Sequence, residues 1–158
     1  MKQNVPEYVG ECAVIGQRVI FGEHVRVGRH AVIHDGAVIG SGVIIGDYAV
    51  VGKPSGPSPV RMGQAGGCPP VAIGTGCCIG ASAVLYAGVY LQRQVMIGDR
   101  VSVRERTFIG EYTRIGTGAV IGNDCTIGAS CQLETGCLVT AHSELASSVF
   151  IAPYVVTS

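Results

Sequence analysis

The stretch Ile109-Gly110-Glu111-Tyr112-Thr113-Arg114-Ile115-Gly116-Thr117-Gly118-Ala119-Val120-Ile121-Gly122-Asn123-Asp124-Cys125-Thr126-Ile127-Gly128 decides the fold. An isoleucine recurs every six residues, a glycine follows it, and two residues before it stands something small: Thr113, Ala119 or Cys125. Working outward, the same spacing runs back through Val103, Ile97, Leu91, Leu85, Ile79 and Ile73, and on through Leu133, Val139, Leu145 and Ile151. Before one break it runs from Val9 through Ile15, Phe21, Val27, Ile33, Ile39 and Ile45 to Val51. A period of six fits neither an amphipathic helix at 3.6 nor an open sheet with irregular turns. A fixed internal repeat of this kind predicts an all-β, parallel β-helix.

Three hexads make one triangular coil of about 18 residues, each hexad giving a short strand and a corner. Coils stack at the strand spacing of about 4.8 Å, so about seven coils form a prism about 35 Å long. Glycine at the corners is expected to serve positive φ, which it tolerates at no steric cost. Burying each aliphatic contributes about 1.5–3 kcal/mol, set against the ordering entropy of the chain.

The break is Lys53–Pro70, which holds five of the seven prolines. Proline cannot donate to a ladder, so this segment is expected to leave the helix as one extruded loop, 53–70, beside a bound ligand. The rest of residues 1–158 reads as a single β-helix domain.

Composition excludes several classes. Apolar residues make up 47% and charged ones 14%, with 11 basic against 11 acidic residues, so nothing suggests a nucleic-acid partner. No apolar run is long enough to span a bilayer. The N-terminal residues lack the apolar core of a signal peptide, and the expectation is a cytoplasmic protein without membrane association. Cys77, Cys125, Cys131 and Cys137 fall in the small-residue column, where they read as packing groups. Cys12, Cys68 and Cys78 fall outside it. His24, His30 and His34 share no column, so no metal site is expected.

Because residues 18 apart stack, side chains that interrupt the repeat can be placed against one another. Down one edge, the position after the aliphatic reads Tyr86, Arg104, Gly122, Thr140. Two residues on, it reads Gly88, Arg106, Asp124, His142. Asp124 is thus one coil from both Arg106 and His142. A carboxylate beside a histidine fixes its tautomer and favours the imidazolium, as a general base requires. The same column reads equally as a surface salt-bridge ladder. Tyr86 and Arg104 read as a polar wall of a ligand cleft or as a solvated stack. Glu105 beside that column, and Glu134 in place of a corner glycine on another edge, are candidates to orient a substrate amine or hydroxyl.

The repeat, with Leu85-Tyr86-Ala87-Gly88-Val89, Val103-Arg104-Glu105 and Phe150-Ile151-Ala152-Pro153, resembles the hexapeptide-repeat acyltransferases, nearest to those acting on nucleotide-linked amino sugars. The resemblance implies left-handed coils, against the usual right-handed rule for parallel connections. It also implies a homotrimer with active sites between prisms, acetyl-CoA or another acyl-CoA as co-substrate, and a small-molecule acceptor. Carried over to this chain, His142 is the base and Asp124 its orienter; beside them Tyr86, Arg104, Glu105 and Glu134 are the expected substrate contacts and Thr140 the expected acyl-CoA contact. Similar sequences generally continue past the mid-coil stop at Val155-Val156-Thr157-Ser158 into a helical cap. The alternative expectation is therefore a truncated or non-catalytic β-helix that serves as an assembly module.

Overall fold

The computed structural model describes residues 4–56 and 67–158. Its regular structure consists of 22 strands, nearly all two residues long, each ending at a repeat aliphatic except Val50–Lys53 and Val84–Tyr86, which run past it. Each strand pairs in parallel with the one a coil later, as Tyr8 with Arg26 and Val9 with Val27. Three sheets result: a first of eight strands beginning at Tyr8–Val9, a second of seven beginning at Val14–Ile15, and a third of seven beginning at Ile20–Phe21. Together they form the left-handed parallel β-helix of about seven coils expected from the repeat. Among the described residues no helix is long and apolar enough to cross a membrane.

The repeat aliphatics and the small residues before them point inward and form one continuous core from Val19 to Ile151. Cys77, Cys125, Cys131 and Cys137 lie fully buried in it. Three of these thiols also donate to backbone: Cys77 to Gln92 O at 3.0 Å, Cys125 to Thr140 O at 3.1 Å and Cys131 to Ala146 O at 3.1 Å. Thr107 and Thr113 do the same with their hydroxyls, to Gly122 O and Gly128 O, each at 2.8 Å. Inward polar atoms are thereby satisfied, which removes the cost of burying them.

One expectation about glycine is corrected. Positive φ falls two residues after the glycine column, and there 15 non-glycine residues adopt it, with φ between 54° and 62°. The glycine that follows the aliphatic is required for a different reason. A Cβ on Gly110 would lie 2.6 Å from Ala129 N, and one on Gly28 2.5 Å from Asp47 N. These glycines let the backbone of the next coil come close.

At the break, Val38 pairs with Ala72, 34 residues on, so 16 residues are inserted into one coil. The insertion starts later than the expected boundary, because Lys53 still belongs to the strand Val50–Lys53. The register slips there: Val51 pairs with Leu85 but Lys53 with Tyr86, which leaves Gly52 as a bulge with φ 82°. Of the expected loop 53–70, residues 57–66 lie outside the described residues. The flanking residues 54–56 and 67–70 have no regular structure. Pro70 rests on Gly36 and Cys68 on Gly88, where an added Cβ would lie 3.0 Å from Pro70 Cγ and 3.3 Å from Cys68 Cβ, both tight contacts.

Candidate active site

The edge after the second sheet is where the glycine column fails most often: His34, Tyr86, Arg104 and Thr140 all stand in it. The inserted segment leaves from the same edge. Beside the bulge at Gly52 the strand of the following coil runs on to Val84–Tyr86, so that Tyr86 pairs with Lys53.

Tyr86 sits between two cations. Lys53 Nζ lies 5.2 Å from its ring centroid and the Arg104 guanidinium carbon 4.5 Å. Arg104 is also fixed from behind by Glu105, with Nε donating to Oε2 at 2.8 Å and a terminal nitrogen to Oε1 at 3.3 Å. Glu105 has no exposed surface. Its carboxylate, hydrogen-bonded and charged, raises the affinity of Arg104 for its proton above the ordinary value. The expected substrate contact at Glu105 is thus shielded from solvent, and Arg104 carries the exposed face.

In the same coil, Arg106 grips Asp124 of the next coil with both arms, Nε to Oδ1 at 2.6 Å and a terminal nitrogen to Oδ2 at 2.8 Å. Asn123 donates to the same carboxylate at 2.5 Å. The Arg106 hydrogen bond is the main reason the Asp124 carboxyl is pushed down to about 2, and the same contact raises Arg106. His142 Nδ1 faces Asp124 Oδ2 at 4.0 Å, with its side chain 75% exposed. The column Arg106–Asp124–His142 is therefore assembled in the expected order, but Arg106 holds Asp124 far more closely than His142 does. Cys68 completes the group from the returning limb of the insertion, its sulfur 3.4 Å from an Arg106 nitrogen and 3.9 Å from Ser55 Oγ.

Thr140 lies at the far end of this edge. Its hydroxyl is 3.3 Å from both Ser143 Oγ and Thr157 Oγ1, and its N–H donates to Thr157. Glu134 stands apart, on the edge after the first sheet. Lys53, Cys68 and Asn123 are members that sequence reasoning missed. Lys53 and Cys68 flank the insertion, where stacking by 18 no longer applies. Asn123 gave one signal, since it follows the glycine beside the Asp124 column. Among the described residues no group of three His, Cys, Asp or Glu could hold a metal ion.

Residues 106–141 match the family described as bacterial transferase hexapeptide (six repeats), a segment that includes Arg106, Asp124 and Thr140. No curated protein matches the chain. Among solved structures, the UDP-N-acetylglucosamine O-acyltransferase of Moraxella catarrhalis RH4 is 18% identical, covers 87% of this chain and 65% of its own, and has a TM-score of 0.50. PerB of Caulobacter crescentus, solved with CoA and GDP-perosamine, is 25% identical over 90% of this chain and 53% of its own, with a TM-score of 0.44. The acetyltransferase domain of PglB from Neisseria gonorrhoeae FA1090, solved with acetyl coenzyme A, is 20% identical over 89% and 51%, with a TM-score of 0.46. The chain thus spans less than two thirds of the length of each. The likeness to the Moraxella enzyme bears on the fold alone.

Proposed function

We propose, from the premise that this is a hexapeptide-repeat chain of the bacterial transferase kind, that it is a CoA-dependent acyltransferase. The acetyl or other acyl group moves from acyl-CoA to an amine or hydroxyl of a nucleotide-sugar-like acceptor. One observation carries the reading. The edge that abandons glycine brings an exposed imidazole, His142, to 4.0 Å from a carboxylate that Arg106 and Asn123 keep ionised.

In this reaction the acceptor nitrogen or oxygen attacks the thioester carbonyl. His142 takes the acceptor's proton, and a corner N–H steadies the developing oxyanion. The carbon–sulfur bond breaks, and the coenzyme thiolate recovers the proton from the imidazolium. Asp124 orients the ring and balances its charge. Tyr86 and Arg104 wall the acceptor side, Glu105 acts behind Arg104, Thr140 borders the donor, and Glu134 contributes from its own edge when a neighbouring prism approaches. The chain works as a cytoplasmic homotrimer, an arrangement that suits the exposure of His142, because an adjacent prism closes the cleft over it. The second sheet suits that contact: five of its seven outward positions are valine and none is charged.

Calorimetric titration with acetyl-CoA tests the reading, with about one site per chain expected. His142→Ala keeps that binding and lowers acyl transfer by about 10²–10⁴. A second reading, a non-catalytic assembly module, draws on the grip of Arg106 on Asp124, which leaves His142 the weaker partner. Absence of heat with acetyl-CoA at high concentration would decide for it.

A further inference from the structure

Two closely hydrogen-bonded Arg–Glu pairs among the described residues differ in a way that points to binding. On the edge after the third sheet, Arg93 Nε meets Glu111 Oε2 at 2.6 Å, with side chains 60% and 36% exposed. That is a solvated pair of little consequence for stability. On the insertion edge, Arg104 is 34% exposed and Glu105 not at all. A carboxylate taken wholly out of water is costly unless paired and hydrogen-bonded. Its effect here is to hold one guanidinium in place over the ring of Tyr86.

Glu105 engages Nε and one terminal nitrogen of Arg104. The other terminal nitrogen makes no hydrogen bond among the described residues. Lys53 places an ammonium on the same ring. The outward charge of this stretch is therefore positive although the whole chain is neutral, because Glu105 is buried and Asp124 lies in the grip of Arg106. A planar, pre-oriented guanidinium with a compact ammonium nearby suits phosphate oxygens, to which arginine offers a rigid fork and lysine a point charge.

We propose that Lys53 and Arg104, set on Tyr86 and with Glu105 as the positioning residue behind, form a phosphate-binding site. It rests on the reading of this edge as the substrate cleft. The phosphate belongs either to a nucleotide diphosphate on the acceptor or to coenzyme A, and both present the same chemistry.

The test is calorimetric titration of the full chain with UDP and, separately, with coenzyme A. The variants are Arg104→Met, Arg104→Lys, Lys53→Met and, as a charge-matched control on the other edge, Arg93→Met, each checked for an unchanged thermal midpoint. The site predicts that at least one probe binds the parent chain. That probe binds at least tenfold more weakly to Arg104→Met, and also more weakly to Arg104→Lys, which keeps the charge but loses the fork. Lys53→Met weakens it less, and Arg93→Met leaves it within twofold. Equal binding by Arg104→Met, an equal loss in Arg93→Met, or no binding of either probe to the parent chain overturns the proposal. UDP bound through Arg104 with no heat from coenzyme A upholds the site and removes the acyl-CoA reading. Coenzyme A bound independently of Arg104, without UDP, does the reverse.

Discussion

At the corners, two glycines that look interchangeable, Gly110 and Gly118, answer to different forces. Gly110 is tied to close approach, since an added Cβ would lie 2.6 Å from the backbone of the next coil. Gly118 faces open space and has φ 69°. Gly118→Ala is expected to lose about 1–2 kcal/mol, the cost of a left-handed conformation in an L-residue. Gly110→Ala must push whole coils apart and is expected to lose more, about 3 kcal/mol or above. Chemical denaturation of the two variants checks the order. Asp124 gives a pH prediction. Its carboxyl is depressed from 3.8 to about 2, so its stabilisation is fully present above the unfolded value and is lost as pH falls through the folded one. Acid unfolding should show a component of about 1–2 kcal/mol between roughly pH 4 and pH 2, absent in Asp124→Asn.

The strands are too short to stand alone, and side chains tie each one to the next coil. Asp35, Asp47 and Asp99 accept from the N–H of Gln17, Arg29 and Ala81 a coil earlier, at 2.7–2.8 Å. Inside, Thr113 donates to Gly128 O at 2.8 Å and accepts from Cys131 N at 3.0 Å. Thr113→Val keeps shape but strands the Cys131 N–H and the Gly128 carbonyl, and is expected to cost about 1–3 kcal/mol in a thermal or denaturant melt. Ile115→Ala, in the fully packed aliphatic column, is expected to cost about 2–5 kcal/mol through the cavity it leaves. The bulge at Gly52 is the one strand irregularity with a consequence for the site, since it brings Lys53 beside Tyr86.

For the whole molecule, the three faces are unequal. The first sheet carries Arg26 and Arg114 outward and the third carries Glu144, whereas the second carries only Lys53, beyond the bulge at its strand end. If the proposed trimer packs through the second sheet, Val120→Arg should convert it to monomers in sedimentation velocity and leave the far-UV circular dichroism unchanged. A trimer that survives the substitution places the contact on another face.

The fold was legible in the chain because the hexad rule is local: an aliphatic, a glycine and a small residue at fixed offsets dictate strand, corner and inward column wherever they recur. Stacking by 18 even placed Arg106, Asp124 and His142 in order, since a fixed coil length turns sequence separation into height. Three things were decided only in the tertiary structure. The glycine column answers to the next coil's backbone, a neighbour 19 residues away that no local rule contains. Lys53 and Cys68 reach the site only because the bulge and the insertion reset the register. Arg106, placed one coil from Asp124 by sequence, takes that carboxylate with both arms, and Glu105 withdraws from solvent behind Arg104. Sequence spacing sets which side chains stand near one another, but competition among them for the same partner is settled by distances and burial in three dimensions.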